Sequence, residues 1–139
     1  MAYNGPNPGN YYIINSVLSP TGDQLATNYI GNNVPLVVST ALQFMTQRWK
    51  VTGEPNAPQA IAPLVDLHRE AGPAGNFAEA LLAAGFTWGM TPSGDGYTIA
   101  DPNSANVWAI NIAAEGQQVV LVPQGVGKTQ LQVWKFVPA

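Results

Sequence analysis

The sequence predicts an all-β fold made of three pseudo-repeats of about 42 residues and about twelve short strands. Three observations support this prediction. Only 9% of the 139 residues are charged, whereas 14 Gly and 12 Pro supply many turns. The stretch QRWKV at 47–51 returns as QVWKF at 132–136. A third tryptophan, Trp88, lies between these two copies and marks a further repeat.

The outer repeats align when the chain is shifted over itself by about 85 residues. No gap is needed over about 40 residues, and the shared positions are mostly large and apolar. The chain therefore divides roughly into 8–53, 54–92 and 93–139, which we expect to form a single domain over 1–139. The matched residues are Tyr12 with Tyr97, Ile14 with Ile99, Leu25 with Ile110, Gly31 with Gly116, Val34 with Val119, Leu36 with Leu121, Val37 with Val122, Gln47 with Gln132, Trp49 with Trp134 and Lys50 with Lys135.

Each outer repeat contains four short apolar or alternating runs, which is the pattern of half-buried strands. In the first repeat these are YYIIN, QLATNY, VPLVVS and QRWKVT. In the third they are GYTIA, NVWAIN, QVVLVP and LQVWKF. The turn-forming stretches GNN before Val34 and SGDG before Tyr97 separate them.

The middle repeat has the weakest strand pattern. Its first strands are predicted in QAIAPLVDLH and its last in GFTWGM. The intervening NFAEALLAAG suits a strand and a short helical turn equally well, because Ala, Leu and Glu favour helix and Gly85 can end one.

Twelve strands in three equivalent units, with one tryptophan near the end of each unit, resemble the β-trefoil. Closure into a barrel removes sheet edges and lets three units share one core. A sandwich gives no reason for a threefold period, and propellers usually have 4–8 blades. Trp49, Trp88 and Trp134 are therefore expected in the core, and the glutamine of each QxW stretch is expected to hold a turn.

The charge distribution argues against nucleic-acid binding. The net charge is −3, and the five basic residues are scattered along the chain. No apolar run reaches the length of a membrane span, and neither cysteine nor a secretory signal is visible. We therefore expect a protein that is cytoplasmic or released without a visible signal peptide, with no membrane insertion. Its low charge is compatible with a homo-oligomer.

Few residues could support catalysis. His68 is the single histidine, and with Asp66, Arg69 and Glu70 it fits a solvated, ion-paired loop better than an acid–base pair. GVGKT at 125–129 mimics a phosphate loop, but Val122 stands where the motif needs glycine. No histidine lies near the serines in sequence. We expect no enzyme activity, no cofactor and no metal.

Several stretches resemble known families. Gln47-Arg48-Trp49 and Gln132-Val133-Trp134 resemble the QxW pattern of ricin-B-type trefoils. WGMTPSGDGYTI, GNYYIINSV and WKFVP are similar to small fungal β-trefoil proteins, including the mycocypin and mycospin protease inhibitors of mushrooms. The resemblance spans the whole chain, and this scaffold carries lectins, inhibitors and immunomodulatory proteins.

The resemblance implies protease inhibition through one of two loops, which is the leading function. The loop at 27–33 corresponds to the mycospin loop that enters a trypsin cleft, but it has no Lys or Arg. Asn28 would suit an asparaginyl protease and Tyr29 a chymotrypsin-like pocket. The loop at 18–24 corresponds to the mycocypin loop that blocks papain-like proteases. The candidate contact residues are Thr27, Asn28, Tyr29 and Ile30, and Ser19, Pro20, Thr21 and Gly22.

The alternative is a ricin-B-like lectin or an immunomodulatory protein. Ricin-type sugar sites use an early Asp, an aromatic platform and an Asn before the QxW glutamine. Asp23 or Asp101 could supply the acid, and Trp108 or Tyr29 the platform. The Asn is missing from both copies, and Trp108 equally fits a packed strand. The expected partner is accordingly a serine, papain-like or asparaginyl protease, or else a glycan.

Overall fold

The computed structural model describes residues 2–125 and 129–139, and the predicted twelve strands are present. Two short 3-10 turns, Met45–Gln47 and Thr129–Gln132, precede the last strands of the outer repeats. No helix in the described residues is long and apolar enough to cross a membrane. The strands are β1 (Gly9–Asn15), β2 (Leu25–Asn28), β3 (Val37–Thr40), β4 (Arg48–Thr52), β5 (Ala60–Pro63), β6 (Arg69–Ala74), β7 (Phe77–Leu82), β8 (Gly89–Ser93), β9 (Gly96–Ala100), β10 (Asn106–Ala109), β11 (Val120–Pro123) and β12 (Trp134–Pro138).

Six strands close into a barrel. Antiparallel pairs join β1 to β4, β4 to β5, β8 to β9, β9 to β12 and β12 to β1. The remaining junction, between β5 and β8, is made by Gln59 and Trp88, whose backbone N–H groups donate to each other's carbonyls at 2.9 and 2.8 Å. Each barrel strand therefore has a partner on both sides, which removes the open edges.

The other six strands form three hairpins that cap one end of the barrel: β2–β3, β6–β7 and β10–β11. A ring of backbone hydrogen bonds joins them. The N–H of Leu36 donates to Ala78 O at 2.8 Å, Ala78 donates to Val119 O at 3.2 Å, and Val119 donates to Leu36 O at 2.7 Å. This cyclic arrangement confirms the β-trefoil and the threefold repeat predicted from the sequence.

The three repeat tryptophans are fully buried, as predicted. Each indole N–H also donates to a carbonyl of a cap hairpin: Trp49 to Thr27 at 2.9 Å, Trp88 to Ala71 at 2.8 Å, and Trp134 to Trp108 at 3.0 Å. These bonds satisfy the one polar atom of each indole and fix the cap against the barrel.

The residue pairs inferred from the uniform shift need correction outside β4 and β12. The barrel register makes Ile13, Ile61 and Ile99 equivalent. Their partners on the neighbouring strands are Phe136, Val51 and Met90, respectively, and each of these partners lies two positions after a repeat tryptophan. Ile99 therefore matches Ile13 rather than Ile14. In the cap, Leu36 matches Val119 rather than Leu121.

Unequal loops explain these displaced pairs. The connection between the first two strands spans 16–24 in the first repeat but only 101–105 in the third. The next connection is longer in the third repeat, 110–119 against 29–36. These two differences in loop length partly cancel. The outer repeats can therefore be aligned in sequence without a gap, although several of the aligned pairs are not equivalent in the structure.

The middle repeat also differs from part of its prediction. The ambiguous NFAEALLAAG stretch contains strand β7, so the strand alternative was correct for Phe77–Leu82. β7 pairs with β6 over six residues, and this pairing overrides the helical propensity of Ala and Leu. The predicted QAIAPLVDLH segment supplies only β5, and β6 begins after it, at Arg69.

Candidate ligand-binding cleft

The glutamine of the first QxW stretch holds a turn, as expected. Gln47 is fully buried, and its Oε1 accepts hydrogen bonds from Leu42 N at 3.1 Å and Phe44 N at 3.3 Å. Its Nε2 donates to Ser39 Oγ and Thr40 O, both at 2.9 Å. One side chain thus fixes the whole connection between β3 and β4.

The other two repeats hold the corresponding connection with different hydrogen bonds. Gln132 accepts the Gly125 N–H at 2.9 Å, so the third repeat keeps the glutamine. The middle repeat has Phe86 at this position. There the Glu70 carboxylate, from β6, accepts the backbone N–H groups of residues 84–86 at 3.1 to 3.3 Å. A carboxylate on a neighbouring strand therefore replaces the missing amide.

The cluster at 66–70 has the geometry of a surface loop. The His68 side chain is 94% exposed, and its Nδ1 lies 3.5 Å from Asp66 Oδ1. Glu70 is occupied with the 84–86 backbone, and Arg69 donates to Asn33 Oδ1 at 3.1 Å. Across the described residues no group of three or more His, Cys, Asp or Glu could hold a metal ion. Most of the GVGKT motif, residues 126–128, lies outside the described residues.

The predicted protease loop at 27–33 is buried at its first residue and exposed at its tip. Thr27 is fully buried, which corrects its assignment as a contact residue, because it faces the core beneath the cap. The amide oxygen of Asn28 is buried, and Tyr29 packs on the core with its hydroxyl donating to Asn32. Of the four candidates only Ile30 is well exposed, at 57%.

The second predicted loop, at 18–24, is a largely exposed turn held by its own hydrogen bonds. Ser19 N donates to Asp23 O, and Gly22 N donates to Ser19 O, both at 2.9 Å. Thr21 Oγ1 donates to Asp23 Oδ2 at 2.7 Å, and Asp23 N donates to Ser19 Oγ at 3.1 Å. Pro20 to Asp23 are all exposed, and Gly22 has a φ of 80°, which favours glycine.

The predicted sugar-site residues do not come together. Trp108 is fully buried, which corrects its assignment as a sugar platform. It fills the cap position that Thr27 and Ala71 occupy in the other repeats and packs edge-to-face on Trp88 and Trp134, with centroids 5.4 and 6.1 Å apart. Asp23 is exposed within its own turn. The hydrogen bonds of that turn involve Ser19, Thr21 and Gly22, none of which is aromatic.

Asp101, the other candidate acid, is also used locally. Only 8% of it is exposed. Its carboxylate accepts Asn103 N at 2.9 Å and the Ser104 hydroxyl at 3.2 Å, which caps the turn between β9 and β10. Like Asp23 and Glu70, Asp101 therefore stabilises a connection between strands.

A different site lies at the capped end, between hairpins of the three repeats. It is a cleft of about 350 Å³, and half-buried Phe77, Asn111, Gln117 and Gln118 are among its lining residues. Val37, Val120 and Gly116 complete the lining. The cleft thus combines an aromatic side chain with three uncharged amides and contains no ionised group.

The backbone that carries Gln117 and Gln118 is fixed. Gly116 N donates to Val38 O at 2.8 Å, and Val38 N donates to Gln117 O at 2.9 Å. Val37 and Gln118 form an antiparallel bridge. Within residues 2–125 and 129–139, the side-chain amides of Asn111, Gln117 and Gln118 have no hydrogen-bond partner. Their donors and acceptors are therefore available to a ligand.

The fold and this geometry define a β-trefoil binding protein. The model of the CCL2-like family, described as CCL2 lectin-like, matches residues 9–134. The chain therefore belongs to the CCL2-like family. Its resemblance to small fungal β-trefoil proteins is thereby confirmed. No curated protein has a significantly similar sequence.

Solved structures with the same fold include three of similar length. A designed threefold-symmetric protein, ThreeFoil, has a TM-score of 0.77 at 14% identity, covering 94% of this chain and 99% of its own. The Rhizoctonia solani agglutinin has a TM-score of 0.74 at 16% identity, covering 97% and 98%. A proteinase inhibitor from Coprinopsis cinerea has a TM-score of 0.73 at 14% identity, covering 97% and 100%. At these identities the likeness concerns the fold.

Proposed function

We propose that this chain is a non-catalytic, lectin-type carbohydrate-binding protein, and that the cleft at Phe77 is its sugar site. One observation carries the proposal: Asn111, Gln117 and Gln118, whose amides have no partner among the described residues, line the same cleft as an aromatic residue. Membership of a lectin-like family supports the same function.

The chemistry of the cleft suits a neutral sugar. Each amide offers a carbonyl acceptor and two N–H donors, which match the mixed donor and acceptor character of sugar hydroxyls. The ring of Phe77 can cover the apolar C–H face of a pyranose, as aromatic side chains cover other apolar surfaces. Because no ionised side chain lines the cleft, an uncharged sugar meets no cost from burying a charge beside it.

A glycan array with the purified protein tests the proposal. We expect at least one neutral glycan to bind, and Gln117→Ala and Phe77→Ala each to lower its affinity at least tenfold. Gln24→Ala and Phe44→Ala are the matched controls, since both residues are exposed on the first repeat and line no part of the cleft. The proposal is wrong if no glycan binds, or if the controls weaken binding as much as the cleft variants do.

Protease inhibition is the second candidate function, and we propose the loop at 18–24 as its contact surface. The observation in its favour is the hydrogen-bonded turn between Ser19 and Asp23, which holds an exposed loop in one shape. A preorganised loop loses less conformational entropy when a protease cleft closes on it.

An inhibition panel of papain, legumain, trypsin and chymotrypsin tests this second function. Gly22→Ala should weaken any inhibition, because Gly22 has a positive φ that alanine adopts at a cost. Gly75→Ala is the matched control, with a φ of 60° and equally open surroundings on another hairpin. Absence of inhibition across the panel would eliminate this candidate.

A further inference from the structure

Two more clefts neighbour the proposed sugar cleft, and residues of the third repeat line all three. Asn111 lines both the first cleft and a second of about 200 Å³. Gln130 lines both this second cleft and a third of about 220 Å³. Because neighbouring clefts share a wall residue, the three lie next to one another, and this row of clefts is called the groove below.

The chemical character of the groove changes along its length. The first cleft has amides beside an aromatic ring. The second is mainly apolar, walled by Val17, Ile112, Ala113 and Leu131, and Ile112 is 58% exposed. The third has polar side chains in its lining, Ser16, Ser93 and Thr129, together with the Asp95 carboxylate, which is ion-paired with Lys135. A cleft walled by apolar side chains thus lies between two clefts that carry hydrogen-bonding side chains.

The far part of the groove is held in place by bonds between the first and third repeats. Asn15 Nδ2 donates to Leu131 O at 3.0 Å, and the Ser16 hydroxyl donates to Gln130 O at 2.6 Å. Ser16 N also donates to Val133 O at 2.9 Å. These bonds fix the backbone of the second and third clefts before any ligand arrives, which limits the entropy cost of binding there.

We propose that the groove binds a linear neutral oligosaccharide of at least three units, one unit in each cleft; this inference rests on the proposed sugar-binding function. The terminal units form hydrogen bonds in the two polar clefts. The middle unit lies with an apolar ring face or a methyl-bearing substituent against Ile112 and Leu131. A single sugar fills the amide cleft alone and gains none of the contacts beyond Asn111.

The test uses the glycan that binds most tightly on the array together with its nested one-, two- and three-unit fragments, measured by isothermal titration calorimetry. We expect the three-unit fragment to bind at least tenfold more tightly than the one-unit fragment. Ser93→Ala and Thr129→Ala should weaken only the three-unit fragment. Ile112→Ser should weaken the two- and three-unit fragments, and Gln118→Ala all three.

The outcomes separate this inference from the proposed function. If all fragments bind equally and only Gln118→Ala weakens them, the site is a single cleft and the extended groove is wrong. If no fragment binds, the sugar-binding function itself fails, and the groove with it. As a second readout, NMR signals of Ala113 and Thr129 should shift with the three-unit fragment and stay in place with the one-unit fragment; identical shifts would overturn the inference.

Discussion

Replacing Gln47 with methionine should destabilise the protein by about 3 kcal/mol. The side chain is fully buried and makes four hydrogen bonds, two accepted and two donated. A net value of about 1 kcal/mol for each, partly offset where water reaches the freed groups, gives about 2–4 kcal/mol. Methionine has a similar size, so the loss reports the hydrogen bonds rather than a cavity.

Urea unfolding followed by circular dichroism measures this loss, which corresponds to a fall in Tm of roughly 10 °C for a chain of this length. Gln118→Met is the control, because Gln118 is exposed and should change stability by less than about 0.5 kcal/mol. If Gln47→Met is as stable as that control, the turn is held by packing alone and the reasoning fails.

Three further variants test other parts of the fold by the same unfolding assay. Glu70→Ala should cost about 1–2 kcal/mol and Glu70→Gln less, since the amide oxygen still accepts backbone N–H groups; equal losses would contradict the capping role. Gly72→Ala should cost about 1–3 kcal/mol, because its Cβ would lie 2.8 Å from the Phe86 ring, and Phe86→Leu should reduce that cost. Trp108→Phe should lower stability by about 1–3 kcal/mol while glycan affinity stays constant; weaker binding would restore Trp108 as a sugar contact.

The fold was predictable because barrel strands must bury a large side chain at the same place in each repeat. Trp49, Trp88 and Trp134 meet that requirement and keep their spacing visible in the sequence. The cap carries a weaker signal, since small and large residues share its equivalent positions, such as Ala71 and Trp108. The register of the cap strands depends on hydrogen bonds between repeats. Aligning the sequence with itself cannot detect these bonds.

The residues of the proposed sugar cleft were harder to predict for a related reason. Trp108 and Thr27 have the chemistry of contact residues but point inward, and the direction of a strand side chain depends on register. Asn111, Gln117 and Gln118 carry no motif, and the pairing of β11 with β7 brings the segment that carries the two glutamines towards Phe77. The available sequence signal for this cleft was a pair of adjacent glutamines just before an apolar strand, in a chain with few charges.

The ring through Leu36, Ala78 and Val119 makes each repeat chemically incomplete by itself. One hairpin offers an N–H and a carbonyl at this point, and both find partners only when two more hairpins are present. Covalent linkage of three copies raises their effective concentration for one another far above that of separate chains. A single repeat of this type could close the same ring only as a trimer, at a concentration-dependent cost that the tandem chain avoids.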